Sequence, residues 1–330
     1  MLVTDRALEA GEASEIRGDL GVALAFYERA LASTDPQIAA EAHFRVGRVA
    51  WRQGRFDDAL SEYEKAATLA RRLALQGLQA RVENGIGAVH YARGAYAQAR
   101  ASYAVAQELA GTDAVLRGKV LLNLGVILNI EGDLAGARDA YRKSRDAFAS
   151  VGDESGEVLV LHNLGMVYAD MEHWEEAAES YARCLRLSER LGNRQMVANV
   201  LLNESDVHCA AGRYDVAVAQ CERALALYVE IGDEPGRGDA LRGRARALRG
   251  VGRFADAATA LQDATRIASR LQARLLEAEV HREWGLLAAA TGDTLDASRH
   301  LTAALDGFTQ LGAQRECIEV RAEISSLGEP

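Results

Sequence analysis

Eight times along the chain, at intervals of 36 to 40 residues, the sequence passes through a turn position: Gly18, Gly54, Gly94, Gly132, Glu172, Gly212, Gly252 and Gly292. Five residues after each turn stands an alanine, from Ala23 to Ala297. Four further on comes a larger residue: Tyr27, Tyr63, Tyr103, Tyr141, Tyr181, Cys221, Leu261 and Leu301. Three beyond that the small residue returns, from Ala30 to Ala304, with Ser144 and Cys184 among the alanines. Spacings of four and three put these positions on one face of a helix. Seven residues before each turn stands a second small residue, here called the reference position: Gly11, Gly47, Gly87, Gly125, Gly165, Ser205, Ala245 and Gly285. Glycine inside a helix costs stability relative to alanine, so its return at one slot implies a tight helix crossing. Each unit is therefore a helix, a turn and a second helix. Neither helix can bury its apolar face without neighbours, so the units must stack.

This predicts an all-α array of eight helix-turn-helix repeats at about 3–34, 39–73, 78–111, 116–150, 156–190, 196–230, 236–270 and 276–310. A further helix over 314–327, with Cys317, Ile318, Arg321, Ile324 and Leu327 at helical spacing, is expected to shield the open end. Length alone would suggest two or three domains for 330 residues. A repeat array grows along an axis instead, so a single array over 1–330 is expected. The presence of only three prolines favours helix throughout. A net charge of −10 argues against a nucleic-acid partner, whose protein footprint is usually basic. No apolar run approaches the length of a membrane span, the start of the chain has no signal-like character, and the four cysteines form no CxxC pair. A soluble, reduced, cytoplasmic protein without membrane contact is expected.

The succession Leu-Gly, Gly-x-aromatic or leucine, Ala-x₃-Tyr and Ala resembles the tetratricopeptide repeat over essentially the whole chain. The 40-residue spacing and linkers such as Val151-Gly152-Asp153, Leu191-Gly192-Asn193 and Ile231-Gly232-Asp233 are similar to the long-helix branch of that family, which includes kinesin light chains, LGN-type adaptors and bacterial Rap-type and MalT-type arrays. The resemblance implies a right-handed superhelical solenoid in which the first helix of each pair lines a concave groove.

Chemistry is sparse. Gly85-Ile86-Gly87 lies inside a predicted helix with no preceding strand, so it reads as close packing rather than a phosphate loop. Cys209 and Cys221 near His208 have metal-ligand residue types, but Cys221 fills a tyrosine slot and Cys184 an alanine slot, as core cysteines do. Ser205, Asp206 and His208 have the types of a triad, yet neighbours one or two apart on a helix do not face each other. No metal, cofactor or catalytic role is expected.

The resemblance puts the positions two and three before the reference residue, and one after it, on the groove. Asn123, Asn163 and Asn203 share the slot two before it in three successive repeats, 40 residues apart. An asparagine amide offers donor and acceptor together, which suits an extended peptide backbone. The competing reading is that each asparagine bonds a neighbouring helix and sets repeat stacking. Around this ladder the groove is expected to present Leu122, Val126, Asn129, His162, Met166, Asn199 and Leu202. Repeat seven carries Arg242, Arg246 and Arg249 at helical spacing. With Asn203 they partly resemble the carboxylate clamp of chaperone-binding tetratricopeptide domains, an incomplete match because His162 and Met166 fill its other positions. The alternative is neutralisation by Asp206, Glu279 and Glu283 in the adjoining repeats, with Glu9 and Glu12 opposing Arg45 and Arg48 near the start. Glu204 and Arg244 occupy an otherwise apolar slot in successive repeats, and an ion pair between them is expected. The expected function is a non-catalytic scaffold that binds an extended or helical segment of a partner protein, with self-association possible. The alternative is a sensing module for a small peptide or metabolite effector.

Overall fold

The computed structural model describes the backbone of residues 2–328 and the side chains of residues 6–328. Every regular element among the described residues is a helix: α1 (Leu2–Ile16), α2 (Leu20–Leu31), α3 (Pro36–Arg52), α4 (Phe56–Arg72), α5 (Gln76–Ala92), α6 (Tyr96–Leu109), α7 (Ala114–Ile130), α8 (Leu134–Ala149), α9 (Glu154–Asp170), α10 (Trp174–Arg190), α11 (Arg194–Ala210), α12 (Tyr214–Ile231), α13 (Glu234–Gly250), α14 (Phe254–Leu271), α15 (Arg274–Ala290), α16 (Thr294–Leu311) and α17 (Gln314–Ser326). Two helices answer to each of the eight sequence repeats, and α17 answers to the predicted final helix. The chain divides into two compact units, residues 1–171 with α1 to α9 and residues 172–330 with α10 to α17.

Local chemistry explains where helices start and stop. Asp113, Asp133, Asp153, Asn193, Asp233 and Asp293 each accept a hydrogen bond from a backbone amide in the first turn of the following helix, satisfying one of its orphan donors. At Gly132 the backbone φ is +82°, a conformation that penalises any residue with a Cβ. The fifth repeat has Glu172 there instead, at φ +60°.

In the first unit α1, α3, α5 and α7 each pack on their own second helix, α3, α5, α7 and α9 pack on the second helix of the preceding repeat, and the first helices adjoin in the order α1, α3, α5, α7, α9. In the second unit the same holds for α11, α13 and α15. The side on which first helices adjoin is the inner side of each stack. The reference glycines make this packing possible. A Cβ on Gly11, Gly47, Gly87 or Gly125 would lie 2.4, 2.8, 2.5 or 2.5 Å from the ring of Tyr27, Tyr63, Tyr103 or Tyr141 respectively. These tyrosines are buried, and their rings occupy the space that a Cβ on the opposing helix would need. Where the second helix offers Cys221 or Leu261 instead, the reference position accepts Ser205 or Ala245. Gly85 is pressed against Tyr63 in the same way, so Gly85-Ile86-Gly87 is a close crossing with a tyrosine on either side.

Candidate functional site

The inner face of the first unit begins as a charged lattice. Glu12 pairs with Arg45 at 3.0 Å, Glu15 with Arg48 at 2.6 Å and Arg52 at 3.4 Å, and Glu41 with Arg45 at 2.7 Å and Arg81 at 2.5 Å. Burial by itself would raise the carboxyls of Glu15 and Glu41. The guanidinium partners outweigh it and hold both below the usual carboxylate range. The sequence expectation of acids in repeat one opposing Arg45 and Arg48 holds, with Glu15 in place of Glu9.

These pairs place inward the slots six and two residues before the reference residue and one, four and five after it, and Asn84, three before it, bonds across the same face. On α7 the same slots hold Lys119, Leu122, Asn123, Val126, Asn129 and Ile130, and on α9 they hold Leu159, His162, Asn163, Met166, Ala169 and Asp170. Leu159 is 47% exposed and Met166 39% exposed. Asn123 is half-buried, and its Nδ2 donates to Asn84 Oδ1 on α5 at 3.0 Å, so at this rung the asparagine does tie neighbouring first helices together. Its Oδ1 is left to accept. His162 and Asn163 share a side-chain hydrogen bond, and burial lowers the imidazole's pKa, leaving His162 neutral at pH 7. Asn129 is half-buried at the end of the same face.

The inner face of the second unit has a different character. Arg242 pairs with Glu279 at 3.4 Å, Arg249 with Glu283 at 3.2 Å, and Arg246 with Asp206 and, at 3.9 Å, with Glu283. The three acids are those the sequence named for neutralisation. Arg282 continues the lattice to Glu319 at 2.9 Å and Glu323 at 2.6 Å on α17. Asp206 first, and then Glu283, raise the Arg246 pKa further against the effect of burial. A carboxylate clamp needs uncommitted cations, and these are committed. Asn199 is also engaged: its Oδ1 accepts from Tyr228 Oη at 2.8 Å and from Gln195 Nε2 at 3.1 Å. Asn203 and Leu202 lie half-buried on α11.

One expectation fails. Glu204 and Arg244 do not meet: Glu204 accepts from Gln220 at 2.9 Å, and Arg244 pairs with Glu222 at 3.2 Å. Their slot points toward the second helices, and α12 lies between them and supplies both partners. The triad residues are also separated in purpose. Ser205 is buried and donates to the Leu202 carbonyl, while Asp206 is bound to Arg246. Burial pushes the Cys221 thiol up to about 12 and Cys209 to about 11, far from a reactive thiolate. Among the described residues no three His, Cys, Asp or Glu side chains converge to hold a metal ion, and no helix is long and apolar enough to cross a membrane.

The tetratricopeptide repeat model matches residues 38–111, 116–190 and 196–270, and a second model of the same description matches 162–228. Together the matches cover well over half of the chain, which belongs to the tetratricopeptide repeat family. No curated protein matches its sequence. Among solved structures it is similar to the apo form of RapI, with 14% identity over 98% of this chain and 98% of that one and a TM-score of 0.73. The apo form of the quorum sensor NprR from B. thuringiensis gives 13% identity, 99% and 97% coverage and a TM-score of 0.66. BtubC from P. vanneervenii gives 20% identity, 66% and 92% coverage and a TM-score of 0.58. These likenesses concern the fold. The family is one of protein-interaction scaffolds.

Proposed function

We propose that the protein is a non-catalytic scaffold whose inner faces bind a segment of a partner protein, and that in the first unit the contact falls on α7 and α9. The observation that carries this reading is the contrast within that unit. Charged side chains on α1, α3 and α5 are paired with one another, whereas α7 and α9 offer apolar groups and amides with exposed Leu159 and Met166. Such a face loses little on desolvation and gains from apolar contact. Asn123, Asn129, His162 and Asn163 would orient a peptide backbone along it. In the second unit Asn199 and Asn203 are the corresponding amides on α11, while Arg242, Arg246 and Arg249 act mainly in holding α11, α13 and α15 in register.

A sensing module for a small peptide is the second reading. It is suggested by the similarity to NprR, described as a quorum sensor, and to a Rap protein complexed with Competence and Sporulation Factor at 13% identity and a TM-score of 0.63. Both readings use the same face and differ in ligand length. Panning a random-peptide library displayed on phage against the full chain tests the shared part. The wild type should enrich a consensus, and Leu159→Glu with Met166→Glu should lose it while far-ultraviolet helicity stays unchanged. Failure to enrich any sequence, or the same consensus from the double variant, would overturn the proposal.

A further inference from the structure

We infer that the segment bound by α7 and α9 carries a carboxylate set against Lys119, about three residues from an apolar side chain set against Leu159. The inference rests on the proposed function of that face and specifies its partner.

The slot six before the reference residue is the row that carries it. In α3 and α5 the row holds Glu41 and Arg81, which pair with each other across the two helices at 2.5 Å. That contact establishes that the row points along the inner face and that its members in successive first helices are neighbours. The next two members are Lys119 on α7 and Leu159 on α9. Lys119 is exposed and, among the described residues, has neither an ion-pair nor a hydrogen-bond partner. Arg81, the cation beside it in the row, is taken by Glu41, and the one acid in the inward slots of α7 and α9, Asp170 at the end of α9, is already engaged. Lys119 is thus the one unpartnered charge that these two helices offer from their inward slots among the described residues, and it is positive.

A partner that leaves Lys119 without an acid strips water from an ammonium and returns nothing. One that places a carboxylate there makes a charge-assisted bond on a face with no other unpartnered charge in those slots, where little else competes for either ion. The spacing follows from elementary geometry. Packed helices lie about 8–10 Å apart, and an extended chain advances about 3.3 Å per residue, so groups over α7 and over α9 are roughly three residues apart. Leu159, 47% exposed, supplies the apolar contact at that second point. The preferred segment is therefore acid-x-x-apolar or its reverse, according to the direction in which it lies.

The test extends the phage panning to Lys119→Glu and Lys119→Ala. Lys119 is exposed, so neither change should alter helicity or melting. The wild type should enrich Asp or Glu at a fixed distance from an apolar residue, Lys119→Ala should lose only the acidic preference, and Lys119→Glu should replace it with Lys or Arg. A synthetic peptide of the wild-type consensus should bind Lys119→Glu at least about tenfold more weakly than wild type, as expected for loss of a bond to a charged group. If the wild type enriches nothing, the reading of the face as a binding site fails, and this inference with it. If a consensus emerges without an acid, or survives Lys119→Glu unchanged, the face binds but the assignment of Lys119 is wrong.

Discussion

On α7 and α9 of the first unit, the inward slots hold one unpaired cation among leucines, asparagines and a methionine. On α13 and α15 of the second, the same slots hold Asp239, Arg242, Arg246, Arg249, Glu279, Arg282 and Glu283. The two faces share a backbone pattern and oppose each other in chemistry. In the second, each arginine reaches an acid from an adjoining helix, and Glu283, only 5% exposed, serves two of them. A partner would have to break pairs that already exist before making its own. In the first, Lys119 has no partner and Leu159 and Met166 are exposed. The lesson is that charge on a groove is not a sign of a binding site unless it is free. The arginine cluster that stands out in the sequence is ion-paired across helices, and the face on α7 and α9 is the one we propose for binding.

The hardest test of this contrast is Glu283→Leu. It leaves Arg249 without its acid and Arg246 with Asp206 alone, and should cost roughly 2–4 kcal/mol of stability in urea unfolding, somewhat below a fully buried pair because the guanidiniums are partly exposed. A loss under about 0.5 kcal/mol would mean that these are ordinary surface pairs.

Asp239 gives the next effect, of opposite sign. Burial, with Glu279, Asp233 and Asp206 adding to it against Arg242, pushes its carboxyl up to about 6. A carboxyl raised above its unfolded value near 3.9 is favoured in its protonated form, so its contribution to stability is present below about pH 4 and disappears as the pH rises through 6. Asp239→Asn should therefore stabilise the protein at pH 7 by about 1–2 kcal/mol and flatten the pH dependence between about 4 and 7. A variant no more stable than wild type at pH 7 would mean that the buried Asp239 carboxylate costs the fold nothing.

On the first face, Asn123→Ala removes the bond to Asn84 and should cost about 0.5–1.5 kcal/mol. Asn123→Ala and Asn84→Ala should be non-additive in a double-mutant cycle, as expected for a direct partner. Full additivity would return Asn123 to the role of a pure ligand contact. The smallest effect is expected from Leu159→Glu and Met166→Glu, each within about 0.5 kcal/mol of wild type in stability despite abolishing peptide capture. Marked destabilisation would mean that these side chains belong to the core.

The repeat, the helix count, the slot that must stay small at a tight helix crossing and the neutralising acids around Arg246 were all readable from spacing, because helical periodicity converts sequence distance directly into a face. The sequence therefore determined the family, the all-α architecture and the set of side chains available to each face. It did not determine which of them meet. Glu204 and Arg244 occupy equivalent slots one repeat apart, as do Glu41 and Arg81, yet only the second pair forms. The difference is direction. Inward slots look across a gap that only first helices border, so successive members can touch, whereas the slot just before the reference residue looks toward the second helices, and α12 fills the space between its members. The tertiary structure likewise decided that Asn123 reaches Asn84 and that each of the three arginines is paired with an acid. A pattern of equal spacing fixes faces. Contact also depends on what lies between them, and that is settled only when the helices pack.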